Sequence, residues 1–155
     1  MGKRKFSICF ICSGNTCRSA MAQFMLRDAL NKAKIKGVTV RSFGLNARRE
    51  PLSDGADTVL SERGIKTGDF LSKPVPKSLK AYDAVVCMTR AQAEKLKEKS
   101  ENAGTVGDIC GTGDVCDPFG KGLDEYRRVS NILEECCKKI VLYIKRWQDE
   151  SCDSE

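Results

Sequence analysis

The sequence predicts an α/β fold in one domain: an open sheet of about four parallel strands, flanked by helices. Apolar runs that suit buried strands alternate along the chain with segments whose apolar residues recur at helical spacing. A length of 155 residues, with 41% apolar and 31% charged residues, suits one globular domain. Neither a repeat nor a linker divides the chain, and the alternation implies right-handed crossovers between parallel strands.

Four segments are predicted as strands. The first is the apolar run of residues 6–11, and the second is residues 38–43, where apolar and polar positions alternate. The third, residues 84–88, is a continuous apolar run of the kind found in central parallel strands. The fourth, residues 105–109, has a less regular apolar pattern.

The helices fall between and after these strands. They are predicted over residues 20–33, 53–63, 90–100 and 123–148, with a short helical turn at 76–81. Gly37 and Gly64 follow the first two helices, and Thr89 is placed to cap the third. Residues 149–155 are acidic and are expected to fray.

Composition excludes several classes of protein. No apolar run approaches the roughly 18 residues that span a bilayer, and the apolar run after the basic N-terminus is too short for a signal peptide. Nine cysteines, an odd number without a secretion signal, predict free thiols and a cytoplasmic protein. The net charge of +6 is spread along the chain, so neither nucleic acid nor a membrane is expected as a partner.

One stretch, ICFICSGNTCRS at residues 8–19, carries the chemistry. A buried strand that turns tightly into a helix N-terminus binds anions, because backbone N–H groups point inward. Gly14 removes a side chain where the backbone must curl, and Asn15 tolerates a left-handed conformation. The positive field favours Cys12 as a thiolate nucleophile, and the planar guanidinium of Arg18 can hold two oxygens of a tetrahedral anion.

Cys9 and Cys12 have CxxC spacing, which allows two other interpretations. Both could be small core residues of a strand, which suits Cys9 but fits Cys12 poorly, because serine, glycine and asparagine follow it. A metal site is not expected, since the two side chains point to opposite faces of a strand and the chain has neither a second CxxC pair nor a histidine. No cofactor is expected either.

The stretch Cys12-Ser13-Gly14-Asn15-Thr16-Cys17-Arg18-Ser19 resembles the phosphate-binding loop of the low-molecular-weight protein tyrosine phosphatase family. That family includes bacterial protein arginine phosphatases and the related thioredoxin-coupled arsenate reductases. An eight-residue match is far more specific than a bare Cys-x5-Arg. The resemblance implies a single domain over residues 1–155, with the phosphate-binding loop after the first strand. It implies that phosphate is bound by Ser13, Gly14, Asn15, Thr16, Cys17, Arg18 and Ser19.

A second chemical element is Asp117-Pro118-Phe119-Gly120. Thiolate attack on phosphorus expels a leaving group that needs a proton, and without histidine a carboxyl group is the natural donor. The residues alone do not choose among 21 acidic side chains. The resemblance does, because the general acid of the family is the aspartate of an Asp-Pro pair followed by an aromatic residue. It assigns that role to Asp117 and places Phe119 beside the substrate.

The resemblance also implies residues that support the loop and shape the pocket. A strand-end serine of the family hydrogen-bonds the loop asparagine, a role that would fall to Ser42 acting on Asn15; an ordinary strand-end serine is the equal alternative. Residues 45–50 would form one wall of the pocket. Arg48 and Arg49 would lie in that wall or would simply be exposed to solvent.

Cys17 is predicted to have a redox role. Several relatives have a cysteine there, and a disulfide with Cys12 would protect the nucleophile from irreversible oxidation. The alternative is a small loop residue packed against the core. The chain departs from the family pattern at Ala20, where proline is usual, and at Asp69, where many members have a histidine that supports the loop.

The predicted function is that of a cysteine-dependent protein phosphatase that acts on phosphorylated proteins through a phosphocysteine intermediate. Thr16 and the Asp-Pro-Phe-Gly sequence match the arginine branch, and a threonine hydroxyl suits a polar guanidinium better than an aliphatic side chain does. A phosphotyrosine-specific enzyme is the alternative. An arsenate reductase is more remote, because Cys87 has no partner cysteine close by. A non-catalytic phosphate-binding module is the third class. A monomer or a weak dimer is expected.

Overall fold

The computed structural model describes residues 4–153, and its centre is a sheet. Within these residues there are four strands: β1 (Phe6–Cys12), β2 (Val38–Gly44), β3 (Ala84–Cys87) and β4 (Ala103–Thr105). All pair in parallel, in the order β2-β1-β3-β4. The predicted open parallel sheet is therefore confirmed, and β1 lies inside it with a neighbour on each side.

Helices flank the sheet. In the described part of the chain they are α1 (Arg18–Lys32), α2 (Asp54–Glu62), α3 (Arg90–Lys95), α4 (Val106–Cys110) and α5 (Leu123–Asp153). Ser53 caps α2 by accepting a hydrogen bond from the backbone N–H of Ala56, and Thr89 caps α3 together with Gln92. These starts agree with the sequence signals.

The side chains of β1 alternate between two apolar layers. Ile8 and Phe10 face the layer that contains α1, α2 and α5, whereas Cys9 and Ile11 face the layer that contains α3. All four are at most 1% exposed. Because both faces are covered, residues 8–12 of β1 are all apolar and buried, and the carboxyl end of the strand is fixed in position.

The fourth predicted strand is displaced. The strand comprises Ala103–Thr105, and the residues that follow form α4. Thr105 Oγ1 accepts from the N–H of Asp108, and the Asp108 carboxylate accepts from the N–H of Thr105, so a capping box starts a helix where a strand was predicted.

Two helical predictions between β2 and β4 also need correction. The helix predicted over residues 90–100 ends at Lys95. The predicted helical turn at 76–81 is wrong, and only a simple turn occurs at residues 80–81. Pro76 lacks an N–H, and the N–H of Leu79 donates to the distant carbonyl of Lys99 at 3.2 Å, so no local helical ladder forms.

The last helix, α5, is longer than predicted. It continues to Asp153 through residues that were expected to fray. The Gln148 side chain donates to the carbonyl oxygens of Arg4 (3.1 Å) and Lys36 (2.8 Å), and Trp147 packs edge-on against Phe6. These contacts hold the end of the helix against the start of the sheet. No helix within residues 4–153 combines the length and apolarity that a membrane crossing requires.

Candidate active site

The loop of residues 13–17 joins the end of β1 to the start of α1. Cys12 is the last residue of β1, and its side chain is buried. The backbone adopts the left-handed conformation at Asn15, with φ of 59°, as predicted for that residue. The steric need predicted for Gly14 is wrong, because its φ is not positive and a Cβ there would make only an ordinary 3.7 Å contact with Thr16 Oγ1.

Two residues that the sequence analysis missed support this loop, one from β2 and one from α3. A Cβ on Gly44, the last residue of β2, would lie 2.7 Å from the carbonyl oxygen of Ser13 and 2.9 Å from the backbone nitrogen of Asn15. Only glycine therefore allows the loop to pack against β2. Gln92 donates through Nε2 to Ser13 Oγ at 3.2 Å. The Thr89-x-x-Gln92 spacing of a capping box was a readable signal for Gln92.

Hydrogen bonds converge on the Cys12 sulfur. The backbone N–H of Asn15 donates to it, with 3.2 Å between nitrogen and sulfur, and Ser19 Oγ lies 2.9 Å away. Asn15 Nδ2 donates to Ser19 Oγ at 2.7 Å. That contact occupies an acceptor position of the hydroxyl, and the Ser19 proton has two acceptors, the sulfur and the carbonyl oxygen of Phe43 at 3.5 Å. The Cys12 sulfur thus has one backbone donor and one hydroxyl within hydrogen-bond distance.

The predicted hydrogen bond between Ser42 and Asn15 is wrong. Ser42 Oγ donates to Gln23 Oε1 at 2.7 Å. The Asn15 amide, which is fully buried, is satisfied by Ser19 and by the backbone N–H of Lys73, which donates to Asn15 Oδ1 at 2.9 Å. Ser42 thus belongs to the contact between β2 and α1, and a backbone group fixes the loop asparagine instead.

Arg18 begins α1 and links the loop to the segment that carries the predicted acid. Its side chain is buried, and Nη1 donates to the carbonyl oxygen of Val115 at 3.0 Å. Nη2 lies 3.8 Å from Asp117 Oδ2. Asp117 is half exposed and accepts from the N–H of Phe119 at 3.1 Å through its other oxygen, so the carboxyl group is oriented at the mouth of the site.

A cleft of about 180 Å³ lies over the loop. Its lining includes Cys12, Arg18 and Asp117, although Asp117 comes 105 positions after Cys12 in the sequence. Thr16 and Phe119 also line this cleft, as the resemblance implied, and Phe119 is 69% exposed. The structure therefore brings the residues predicted for chemistry and for specificity to one place.

The segment after β2 contributes to the wall of the cleft, as the resemblance implied, through one residue of the range 45–50. Glu50 lines the cleft, whereas Arg48 and Arg49 are exposed and are not part of its lining. The interpretation of the two arginines as solvent-exposed is thus the correct one. The sequence analysis gave Glu50 no role of its own, because a single carboxylate in a charged loop has no motif around it.

Cys17 lies at the base of the loop in a small polar network. Its sulfur is 3.0 Å from Ser53 Oγ and 3.4 Å from the hydroxyl of Tyr126 on α5. Burial, together with the hydrogen bond to Cys17, raises the pKa of Tyr126 to about 12. A Cβ on Gly55 of α2 would lie 2.4 Å from the Tyr126 ring, so the missing side chain makes room for that ring. Cys12 and Cys17 are both free thiols.

Comparisons with known proteins agree with this geometry. The family model described as low molecular weight phosphotyrosine protein phosphatase matches residues 7–150. A protein-arginine-phosphatase of Geobacillus stearothermophilus is 34% identical over 142 residues, which cover 87% of this chain and 93% of that protein.

Two solved structures are similar to the whole fold. One is an arginine phosphatase, a cysteine-to-serine mutant with a phosphorylated active-site serine, with a TM-score of 0.82 and 29% identity over 90% of this chain and 96% of that one. The other is a low molecular weight protein tyrosine phosphatase from T. tengcongensis, with a TM-score of 0.82 and 30% identity over 90% and 99% of the two chains. The similarity thus extends to both branches.

Proposed function

Because this chain belongs to the low molecular weight phosphotyrosine protein phosphatase family, we propose that it is a cysteine-dependent protein phosphatase that prefers phosphoarginine. Cys12 is the nucleophile, Arg18 the phosphate clamp and Asp117 the general acid. The observation that carries the proposal is the cleft these three residues share, with the Asn15 N–H directed at the Cys12 sulfur and the Ser19 hydroxyl beside it.

In the first step the Cys12 thiolate attacks phosphorus. A sulfur–phosphorus bond forms while the phosphorus–nitrogen bond of phosphoarginine breaks, and Asp117 gives its proton to the departing nitrogen. Arg18 and the backbone N–H groups of the loop hold the equatorial oxygens, which gain charge in the transition state. The same steps cleave the phosphorus–oxygen bond of phosphotyrosine, with oxygen receiving the proton.

In the second step the Asp117 carboxylate takes a proton from water, and the water oxygen attacks the phosphocysteine. The sulfur–phosphorus bond breaks, and phosphate leaves. Ser19 donates its hydrogen bond to the departing sulfur and stabilises the thiolate, at the 2.9 Å separation described above. The related arginine phosphatase with a phosphorylated active-site serine supports a covalent intermediate at this position.

The preference for phosphoarginine rests on the polar lining of the cleft. Thr16 and Asp117 both offer oxygens that accept hydrogen bonds from guanidinium N–H groups. The relative with 34% identity is named a protein-arginine-phosphatase, which supports the same substrate. Phosphotyrosine is the second candidate, because the exposed ring of Phe119 offers a surface on which a phenyl group can stack.

Arsenate reduction is less well supported. Arsenate reduction needs a relay of thiols that passes a disulfide to the surface, so a second thiol must be accessible to solvent and to a reductant. Cys87, the thiol nearest to the expected relay position, is fully buried in β3, and burial together with the charge of Cys12 raises its pKa to about 12. A protonated, buried thiol is a poor nucleophile for disulfide exchange.

A thiolate nucleophile has to remain reduced, which suits a protein of the cytoplasm. Phosphorylated proteins are the substrates in this proposal. The Cys12 thiolate is also the form that peroxide oxidises, and Cys17 is the thiol that would condense with it to a disulfide.

The test compares kcat/KM on phosphoarginine and phosphotyrosine peptides of matched sequence. A higher value on phosphoarginine supports the proposal, whereas a strong preference for phosphotyrosine would make the protein an ordinary tyrosine phosphatase. Cys12→Ser should abolish turnover of both peptides and keep the affinity for inorganic phosphate. Substantial residual turnover in Cys12→Ser would exclude the mechanism.

A further inference from the structure

Two acidic side chains line a cleft whose proposed ligand is an anion. Asp117 comes from the loop before α5 and Glu50 from the loop between β2 and α2. Asp117 has a charge partner in Arg18. The Glu50 carboxylate makes no hydrogen bond or ion pair with any residue in the described range 4–153. An unpaired carboxylate repels a phosphate dianion, so its presence weakens the site unless the ligand also carries a cation.

The structure holds Glu50 in place through its own backbone. The N–H of Glu50 donates to Ser72 Oγ at 2.9 Å, and the N–H of Ser72 donates to the carbonyl oxygen of Glu50 at 2.8 Å. Ser72 is fully buried. Arg49 adopts a left-handed φ of 57°, and Pro51 restricts the chain on the other side. This wall is thus anchored to the body of the protein, in contrast to a freely moving surface loop.

We propose that Glu50 determines specificity by accepting the guanidinium of phosphoarginine, within the cleft that it shares with the phosphate clamp Arg18. The inference rests on the proposed phosphatase function, and it names the residue that recognises the guanidinium leaving group. Arg18 and the loop bind the phosphoryl end, and Glu50 binds the cationic end. The carboxylate repels the phosphoryl end of every substrate, and the attraction to a guanidinium offsets that repulsion only for phosphoarginine.

Phosphotyrosine offers no such compensation. Its leaving group is uncharged, and the face of its ring carries negative electrostatic potential. A carboxylate beside the ring therefore disfavours phosphotyrosine while it favours the planar, charged guanidinium, which forms paired hydrogen bonds with carboxylates. The same residue acts on the two substrates with opposite sign, which a purely structural role would not do.

The experiment measures kcat/KM for matched phosphoarginine and phosphotyrosine peptides in the parent, Glu50→Gln and Glu50→Lys. Glu50→Gln should lower the phosphoarginine-to-phosphotyrosine ratio roughly two- to five-fold, the range expected for one solvent-exposed ion pair. Glu50→Lys should lower the ratio further and raise kcat/KM for phosphotyrosine. Raising the salt concentration should shrink both effects, because the interaction is between exposed charges.

Glu101→Gln and Glu101→Lys are the matched controls, since they change the net charge equally. Glu101 is exposed and precedes β4, at the end of the parallel sheet opposite the cleft. Equal changes on both peptides in the Glu50 variants, or the same ratio change in the Glu101 variants, would overturn the role of Glu50. A parent without phosphoarginine turnover would instead overturn the proposed substrate. The two failures are therefore distinguishable.

Discussion

The side-chain amide of Asn15 donates a 2.7 Å hydrogen bond to the hydroxyl of Ser19, whose oxygen lies 2.9 Å from the Cys12 sulfur. Ser19 has one proton, and its acceptors are the Cys12 sulfur and, at 3.5 Å, the carbonyl oxygen of Phe43. Asn15, Ser19 and Cys12 thus form one chain of contacts from the loop, through the start of α1, to the end of β1.

The first prediction follows from this relationship. Ser19→Ala should slow hydrolysis of the phosphocysteine by roughly 10²–10³-fold, the scale for loss of one donor at a developing charge. Rapid-mixing kinetics should show a burst of product, because the covalent intermediate accumulates. Ser42→Ala is the control, since Ser42 bonds Gln23 and not the loop. Equal losses in the two variants, or no burst in Ser19→Ala, would contradict the assignment.

The second prediction concerns the proton donor. Asp117→Asn should lower kcat by roughly 10²–10⁴-fold on peptide substrates, the range for loss of a general acid. Asparagine keeps the oxygen that accepts from the Phe119 N–H, so the local turn should survive. An aryl phosphate whose phenolate leaves easily should lose much less rate, because it needs less protonation. If the poor leaving group reacts at the parent rate, another carboxylate is the acid.

The third prediction separates the hydroxyl of Thr16 from its volume. Thr16→Val removes the hydroxyl at nearly constant size, and Thr16→Ile adds bulk as well. Both variants should lower kcat/KM for phosphoarginine, since the guanidinium donors lose the hydroxyl as a partner. The phosphotyrosine value should be retained or raised through added apolar contact. A parallel fall on both peptides would mean that Thr16 only packs.

The fourth prediction concerns oxidation. Peroxide should convert the Cys12 thiolate to a sulfenic acid, which the Cys17 thiol attacks to form a disulfide and release water. Thiols should then restore activity in the parent. Cys17→Ser should recover poorly, although serine keeps a hydroxyl for Ser53 and Tyr126. Cys116→Ser removes an exposed thiol outside the cleft and should recover like the parent. Full recovery of Cys17→Ser would exclude the protective disulfide.

The fifth prediction concerns alkaline stability. Burial raises the pKa of Cys87 from its ordinary value of 9.0 to about 12. Between about pH 9 and pH 12 the unfolded chain releases a proton that the folded chain keeps, so the free energy of unfolding falls as pH rises. The stabilisation is complete below pH 9 and is lost towards pH 12.

Each such thiol adds up to about 1.4 kcal/mol per pH unit to this slope. Urea unfolding from pH 8 to pH 11 should therefore give a shallower decline in Cys87→Ala. Val85→Ala creates a comparable cavity in the same strand without removing a thiol, and should lower stability without changing the slope. Identical slopes in the two variants would show that Cys87 does not contribute.

The sequence predicted the features that depend on local pattern. In the described residues, continuous apolar runs located β1 and β3, because both strands are covered on both faces. An alternating apolar pattern located β2. The motif of residues 12–19 and the Asp117-Pro118 pair were readable as a site only through the resemblance, since composition alone does not choose among carboxylates.

The features that failed depend on contacts between distant residues. The hydroxyl of Ser42 faces Gln23 instead of Asn15, which no spacing along the chain reveals. The support from Gly44 requires knowledge of how β2 packs on the loop. The start of α4 was misassigned because the Thr105 and Asp108 capping box competes with a β-type sequence pattern. The position of Glu50 in the cleft depends on how its loop packs in the folded protein, which the sequence does not show.

The close approach of Gly55 to the ring of Tyr126 has a consequence for how the sequence can evolve. A Cβ at position 55 would lie 2.4 Å from the ring, so any larger residue there demands a smaller one at position 126. That exchange would also remove the hydroxyl beside Cys17. Positions 55 and 126 lie 71 residues apart in the sequence. They are therefore coupled, and homologues that differ at one position should also differ at the other.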